Sequence, residues 1–272
     1  MSESEQSPDA NGAKTPKYLL IPASQCLLAG LGVGLYALAG PLAVWTGLGD
    51  FRVGFGFLRI ANTWAPWVAG ISLALAVVVF LVARHKGEAA GARLGALALV
   101  GAVSAALVWY VPQTFRPPEG TPPIHDIATD PYAPLEFVAI APLRAEAPNN
   151  MEYGVMDGID SVQEHIDVQL NAYPDIVPQV FSEPADEVFQ RALAAVDAMG
   201  WELVASDAQA GRIEATDTTF WFRFKDDVVI GISENAAGET VLQARSVSRV
   251  GRGDVGKNAA RLREFFALVN DA

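Results

Sequence analysis

The chain has 272 residues, 51% of them hydrophobic, and carries a formal net charge of −12. So high an apolar share excludes an ordinary water-soluble globule, and so negative a balance argues against nucleic-acid binding. With Cys26 as the only cysteine, no internal disulfide can form.

Residues 1–17 read as a polar tail bearing Lys14 and Lys17. Three charge-free apolar stretches then fill residues 18–111: about Tyr18 to Trp45, Trp64 to Val82 and Leu94 to Val111. Each approaches the ~20 residues that a helix needs to cross ~30 Å of hydrocarbon. They are apolar all round rather than striped, which marks membrane spans and not amphipathic helices. Trp45, Trp64, Trp67, Trp109 and Tyr110 lie near their ends, where amphipathic rings prefer the interface. The first stretch is too long for the core of a signal peptide and ends without a small-x-small cleavage site. Gly30 and Gly34 form a Gly-x-x-x-Gly pair, which permits close approach of helices within a three-helix bundle.

Orientation follows from the short loops. Lys14, Lys17, Arg84, Lys86 and Arg93 fall on one side, and Arg52, Arg59 and Arg116 on the other. The larger basic count belongs inside, so the N-terminus is expected in the cytoplasm and the C-terminal region outside it. The chain is thus expected as a multi-pass protein of the inner (plasma) membrane, with a periplasmic domain if the cell is Gram-negative.

Residues 112–184 change character. Prolines crowd here, and fourteen acids lie between Glu119 and Glu187 against two arginines, Arg116 and Arg144. This reads as an extended, mostly loop segment wrapped over the domain that follows, with a short strand at Glu136–Ile140. His125, Asp126 and Asp130 lie in the stretch PPIHDIATDPYAP. They offer either acid/base or metal-binding groups, or side chains that close local turns. The spacing matches no ligand motif, so the turn reading is preferred. His165, between Glu164 and Asp167, reads as a solvated position.

Residues 185–272 have legible periodicity. Val188, Phe189, Ala192, Leu193, Val196 and Met199 recur at helical spacing after Pro184, and Gly200 stops the helix. Strands are expected at Trp201–Ser206, Arg212–Phe224, Val228–Ser233 and Thr240–Val250, with a tight turn at Lys225-Asp226-Asp227. Asp254 should cap a last helix whose Leu262, Phe265, Phe266 and Val269 form its buried stripe. The expected fold class is therefore a three-helix α-helical membrane anchor plus a small α+β domain. That domain runs helix, four-stranded antiparallel sheet, helix, and is helix-grip-like.

The stretch GRGDVGKN at 251–258 nearly matches a phosphate-binding loop, but Asn258 stands where a hydroxyl should hold magnesium. No strand follows it to complete a crossover, so no nucleotide is expected. The larger stretch ARSVSRVGRGDVGKNAARLREFF resembles the signature of a bacterial and plant family, domain of unknown function 1499. The matches are Arg245-Ser246, Ser248-Arg249-Val250-Gly251, Asp254, Gly256, Asn258 and Arg261. Supporting matches are PPIHDIATDP at 122–131, Tyr173-Pro174, Ile213-Glu214-Ala215, and Phe224 with Asp226-Asp227. The resemblance spans about 120–272. It departs from the family pattern at Lys257, commonly apolar there, and at Gly231, where an arginine is frequent. It implies fold and boundaries but no chemistry.

Three readings of function follow. In the first, the signature arginines pair with Asp226, Asp227 or the acidic segment, and the domain is a structural or protein-binding module of the cell envelope. In the second, Arg245, Ser246, Ser248, Arg249, Asn258 and Arg261 hold an anionic small molecule or lipid headgroup, with Asp226, Asp227, Gly251, Asp254 and Gly256 as structural signature. In the third, the domain is a hydrolase, although no nucleophile–base pair, catalytic residue or metal set can be named. No cofactor is implied. Membrane lipid and envelope proteins are the expected partners.

Overall fold

Residues 16–271 are described by a computed structural model of the chain. They divide into two units, Met1–Phe115 and Arg116–Ala272. The tail bearing Lys14 lies outside the described residues.

The first unit is three helices: α1 (Lys17–Trp45), α2 (Phe51–His85) and α3 (Gly91–Tyr110). All three are long and apolar enough to cross a membrane. A 3-10 turn at Val111–Phe115 extends α3. α2 begins earlier than its apolar core suggests, because the Asp50 carboxylate accepts the amides of Arg52 and Val53 and caps it there. Arg52 and Arg59 therefore ride on its first turns, not in a loop. At 35 residues, or roughly 52 Å, α2 outruns the hydrocarbon it would have to cross.

The packing of this unit is inside-out by the standards of a soluble protein. Small residues fill the seams: Ala23, Ala65, Ala83, Ala98 and Ala105 are buried. Large apolar side chains such as Leu28, Leu35, Trp64, Trp67 and Ile71 point outward. That arrangement suits lipid, where close backbone contact and not apolar burial drives association. Gly30 packs on Gly101 of α3 so closely that a Cβ on it would lie 2.0 Å from the Gly101 carbonyl oxygen. Gly34 faces open space, so only one half of the Gly-x-x-x-Gly pair is used in the bundle. The Asn62 side-chain amide adds a polar tie, donating to the Val108 and Trp109 carbonyls at 3.1 Å each.

The second unit runs β1 (Asp126–Ala128), α4 (Val162–Ala172), β2 (Gln179–Phe181), α5 (Ala185–Ala198), β3 (Glu202–Asp207), β4 (Arg212–Thr218), β5 (Lys225–Glu234), β6 (Thr240–Ser248) and α6 (Lys257–Asp271). The expected order of helix, four antiparallel strands and helix is α5, β3 to β6 and α6. The sheet is wider than that, in the order β1-β6-β5-β4-β3, with β2 also pairing β6. β1 covers Arg245 to Val247 and β2 covers Thr240 to Leu242, so the two short strands lie end to end along one strand.

One sheet face carries Ile213, Ala215, Val228, Ile230, Leu242 and Ala244, packed against Val188, Ala192 and Val196 of α5 and Leu262, Phe265 and Val269 of α6. The opposite face carries Val229 and Val247, which pack on Phe137 and Ile140 from the proline-rich segment. That segment is thus a strap over the second face and not a free linker.

Two expectations need correction. Residues 136–140 do not join the sheet; the Val138 and Ile140 amides donate instead to the two oxygens of Glu214, at 2.8 Å each. Asp226 and Asp227 are not a turn. They begin β5, and the chain reverses at 219–224 instead.

Candidate functional site

Alternation along a strand sends adjacent residues to opposite faces. On β6 it divides the signature in two. Ser246 and Ser248 face the helices, while Arg245 and Arg249 face the strap. On β5 the adjacent acids divide likewise, Asp226 to the helix side and Asp227 to the strap side.

The helix-side network centres on Asn258 and Arg261 of α6. Asn258 accepts from the Ser246 hydroxyl at 2.7 Å, and donates to the Ser248 hydroxyl at 3.0 Å and the His125 carbonyl at 2.9 Å. Arg261 donates to Asp226 at 2.6 Å and to Asp217 at 2.7 Å. Its Nη1 also donates to the Ser246 hydroxyl and to the Asn258 side-chain oxygen. Burial alone would lower the Arg261 pKa; Asp226 and Asp217 more than offset this and hold it above its usual value. Asp254 caps the helix as expected, accepting from the Gly256 amide at 2.8 Å and the Asn258 amide at 2.6 Å. The carboxylate therefore stands where a phosphate would need to sit. Gly256 takes the left-handed conformation (φ 81°) that lets the chain enter α6.

The strap-side network is ionic. Arg245 grips Asp126 through two parallel bonds, Nε to Oδ1 at 2.9 Å and Nη2 to Oδ2 at 2.7 Å. Its remaining donors reach the Leu135 carbonyl at 2.8 Å and the Met151 carbonyl at 2.6 Å. The guanidinium also lies 5.4 Å from the ring centres of both Phe137 and Tyr153. Asp227 is a hub. Arg249 donates to both its oxygens at 2.9 and 2.8 Å, Arg144 donates at 3.1 Å, and the Thr216 hydroxyl donates at 2.7 Å. Burial pushes the Arg144 pKa down, and Asp227 works against that. Asn149 ties the strap to the end of β6, donating to the Ser248 and Gly251 carbonyls.

The structure thus brings together every signature residue, but divides them over two sides of one sheet. Arg245, Arg249 and Arg261 are all bound to protein carboxylates, so these three do not form an open cationic surface. Of the three acid/base candidates, only Asp130 performs turn chemistry, accepting from the Tyr132 and Ala133 amides. Asp126 is the partner of Arg245, and His125 is buried.

His165 is also buried, not solvated: its Nε2 lies 2.9 Å from the Asp126 carbonyl oxygen. Its neighbour on α4, Gln169, exchanges two bonds with the Ala128 backbone and so completes the outer edge of β1. Gln169, Arg144, Thr216 and Asp217 were missed by sequence reasoning, and Glu214 entered only as part of a supporting match to the family. One signal existed for Arg144, a rare arginine in an acid-rich stretch. The others make contacts distant in sequence that no local pattern shows.

The family described as "Protein of unknown function (DUF1499)" matches residues 126–269, which is more than half of the chain. This chain belongs to that family. No curated protein and no solved structure gives a match. The DUF1499 match begins at the first residue of β1 and ends in α6, so it takes in the strap as well as the sheet. Every side chain of both networks lies within it.

The DUF1499 domain also has a surface hollow of about 670 Å³, lined by His125, Asn149, Asp157, Asp160, Ser161 and Arg252 among others. Among the described residues, no group of three His, Cys, Asp or Glu side chains could hold a metal ion.

Burial lowers the pKa of both His125 and His165. In the unfolded chain an imidazole titrates near ~6.5, so below that pH the unfolded state binds protons that the native state refuses. Stability is therefore fully present above about pH 6.5 and falls as the pH drops toward the folded-state values. Each histidine contributes at most about 1.4 kcal/mol per pH unit. Asp254, whose pKa is raised by burial, acts in the opposite direction but in the lower carboxylate range. Urea midpoints should fall between pH 7.5 and 5.5 and fall less in His165→Gln; equal slopes would refute the assignment.

Proposed function

We propose that this DUF1499 protein is an integral membrane protein of the cell envelope whose α+β domain faces away from the cytoplasm and serves as a structural or protein-binding module. The observation that carries this reading is the closure of the signature arginines. Arg245, Arg249 and Arg261 each donate to a protein carboxylate, as does Arg144 of the strap. The charge of a guanidinium so engaged is already met by a protein carboxylate, so an incoming anion would have to displace an internal pair, and breaking a buried pair is expensive. The arginines instead fasten the strap and α6 to the sheet. Bidentate, planar pairing of this kind is what arginine does better than lysine.

The outward placement of the domain rests on the excess of Lys and Arg in the loops assigned to the inside. Alkaline phosphatase fused after Ala272 should be active in a bacterial host, and green fluorescent protein at the same place should be dark. The reverse pair of results would put the domain in the cytoplasm. For the internal role of the arginines, millimolar phosphate or citrate should leave the melting temperature of the detergent-solubilised chain unchanged. A saturable rise lost in Arg249→Gln would restore the anion-binding alternative.

A further inference from the structure

The hairpin joining β4 to β5 turns through Thr219, Phe220, Trp221, Phe222, Arg223 and Phe224 into Lys225. Phe220 is 64% exposed and Trp221 50% exposed, and their rings meet edge to face with centres 5.2 Å apart. Phe222 and Phe224 are half-buried behind them, with ring centres 6.2 Å apart. Arg223 sets positive charge within this cluster, and Lys225, which lies 3.9 Å from Glu202, adds a second basic group at its base. Water is a poor solvent for such a tip, whereas the headgroup boundary of a bilayer accepts aromatic rings flanked by basic side chains.

The register of the sheet fixes which end of the domain the tip occupies. Thr218 pairs Lys225 beside the hairpin, Asp226 pairs Ser248, and Asp126 pairs Val247. The first residue of β1 and the last residue of β6 therefore lie at the hairpin end. Two backbone bonds hold the chain entry to this end, from the Ser248 amide to the His125 carbonyl and from the Asp254 amide to the Ile124 carbonyl. The polypeptide thus enters the domain at the end from which the aromatic tip projects. Residues 116–124 are all that separate that entry from the apolar helices, a reach of at most about 30 Å. The turn after β6, at the same end, presents a second apolar group. Val255 is 43% exposed and holds a left-handed backbone conformation (φ 53°) that is strained for a β-branched residue.

We propose that the Phe220–Phe224 hairpin tip, with Val255 at the same end, inserts shallowly into the lipid leaflet that the domain faces, making a second, non-spanning contact with the bilayer. The inference rests on the membrane-anchored reading above. Tethering supplies the affinity: a short linker keeps the tip at high effective concentration at the surface, so few buried rings suffice.

The test uses the full chain with Cys26→Ser, reconstituted into phosphatidylcholine–phosphatidylglycerol nanodiscs. An environment-sensitive fluorophore is placed through Phe220→Cys or, in the turn at the other end of the sheet, through Ala237→Cys. Lipids carrying a nitroxide at a shallow acyl position should quench the label at 220 several-fold more than that at 237, and its emission should shift to the blue. Quenching at 220 by aqueous iodide equal to that at 237 would overturn the proposal. So would protection from both quenchers, which would mean that protein covers the tip. Alkaline carbonate extraction of the chain from native membranes separates the two failures. Release of the chain would refute the anchor itself, whereas retention with an unquenched tip would refute only this contact.

Discussion

Asp227→Ala is expected to destabilise the DUF1499 domain by about 3–5 kcal/mol, the cost of removing one partner from a buried ion pair. Its side chain is fully buried and accepts four bonds, two from Arg249, one from Arg144 and one from Thr216. Removing it strands the Arg144 guanidinium, whose side chain is 1% exposed, and frees the strap from β5. Against a typical total of about 5–15 kcal/mol, this is a large fraction. Asp226→Ala provides the control on the opposite face. Arg261 would keep Asp217, so the loss should be smaller. Pulse proteolysis across a urea gradient, read on the domain band of the detergent-solubilised chain, measures both. A change within about 0.5 kcal/mol at Asp227, as for an ordinary surface site, would show that the hub does not hold the strap.

Gly30→Leu should disrupt the helix bundle, whereas Gly34→Leu should be nearly silent. A Cβ at 30 would meet backbone on α3, 2.0 Å from the Gly101 oxygen and 2.6 Å from its Cα, and a Cβ at Gly101 would lie 2.1 Å from the Cys26 carbonyl oxygen. Neither backbone can move aside alone, so the helices must part and give up the contacts of Ala23, Cys26 and Ala98. Overpacking of this kind costs about 1–3 kcal/mol or more. At Gly34 a new side chain meets nothing within 4 Å and would project toward lipid. Unfolding by sodium dodecyl sulfate in mixed micelles should show a clear loss for the first substitution only. Equal losses would mean that both glycines face a helix.

What could be read from the sequence depended on range. The three spans were legible because freedom from charge over about twenty residues is a local property. α5, α6 and the Asp254 cap were legible because helical spacing and capping are also local. The adjacent acids Asp226 and Asp227 were misread as a turn because strands seldom carry acids. Their counter-ions come from Arg144, Arg249 and Arg261, which are 83, 22 and 35 residues away. The strand expected at 136–140 within the strap was misread for a related reason. Backbone groups around it are met by the side chains of Glu214, Arg245 and Arg144, and no periodicity announces such partners. α4 was hidden because its buried face is polar, built on His165 and Gln169. That the signature arginines could pair with Asp226, Asp227 or the acidic segment was one of the readings open in the sequence, but which arginine meets which acid was not legible, because those pairs form across the sheet.

The end-to-end lay of β1 and β2 along β6 has a bearing on how the chain tolerates cutting. Those two three-residue strands, with Thr129 bonded to the Ala244 backbone between them, cover the outer rail of β6, and all come from residues before the compact run that starts at 185. A nick or a domain boundary set there would bare the outer edge of a nine-residue strand and leave its backbone hydrogen-bonding groups unmet. Uncovered rails of that sort recruit strands from neighbours, so a trimmed version is set to clump rather than to stand alone.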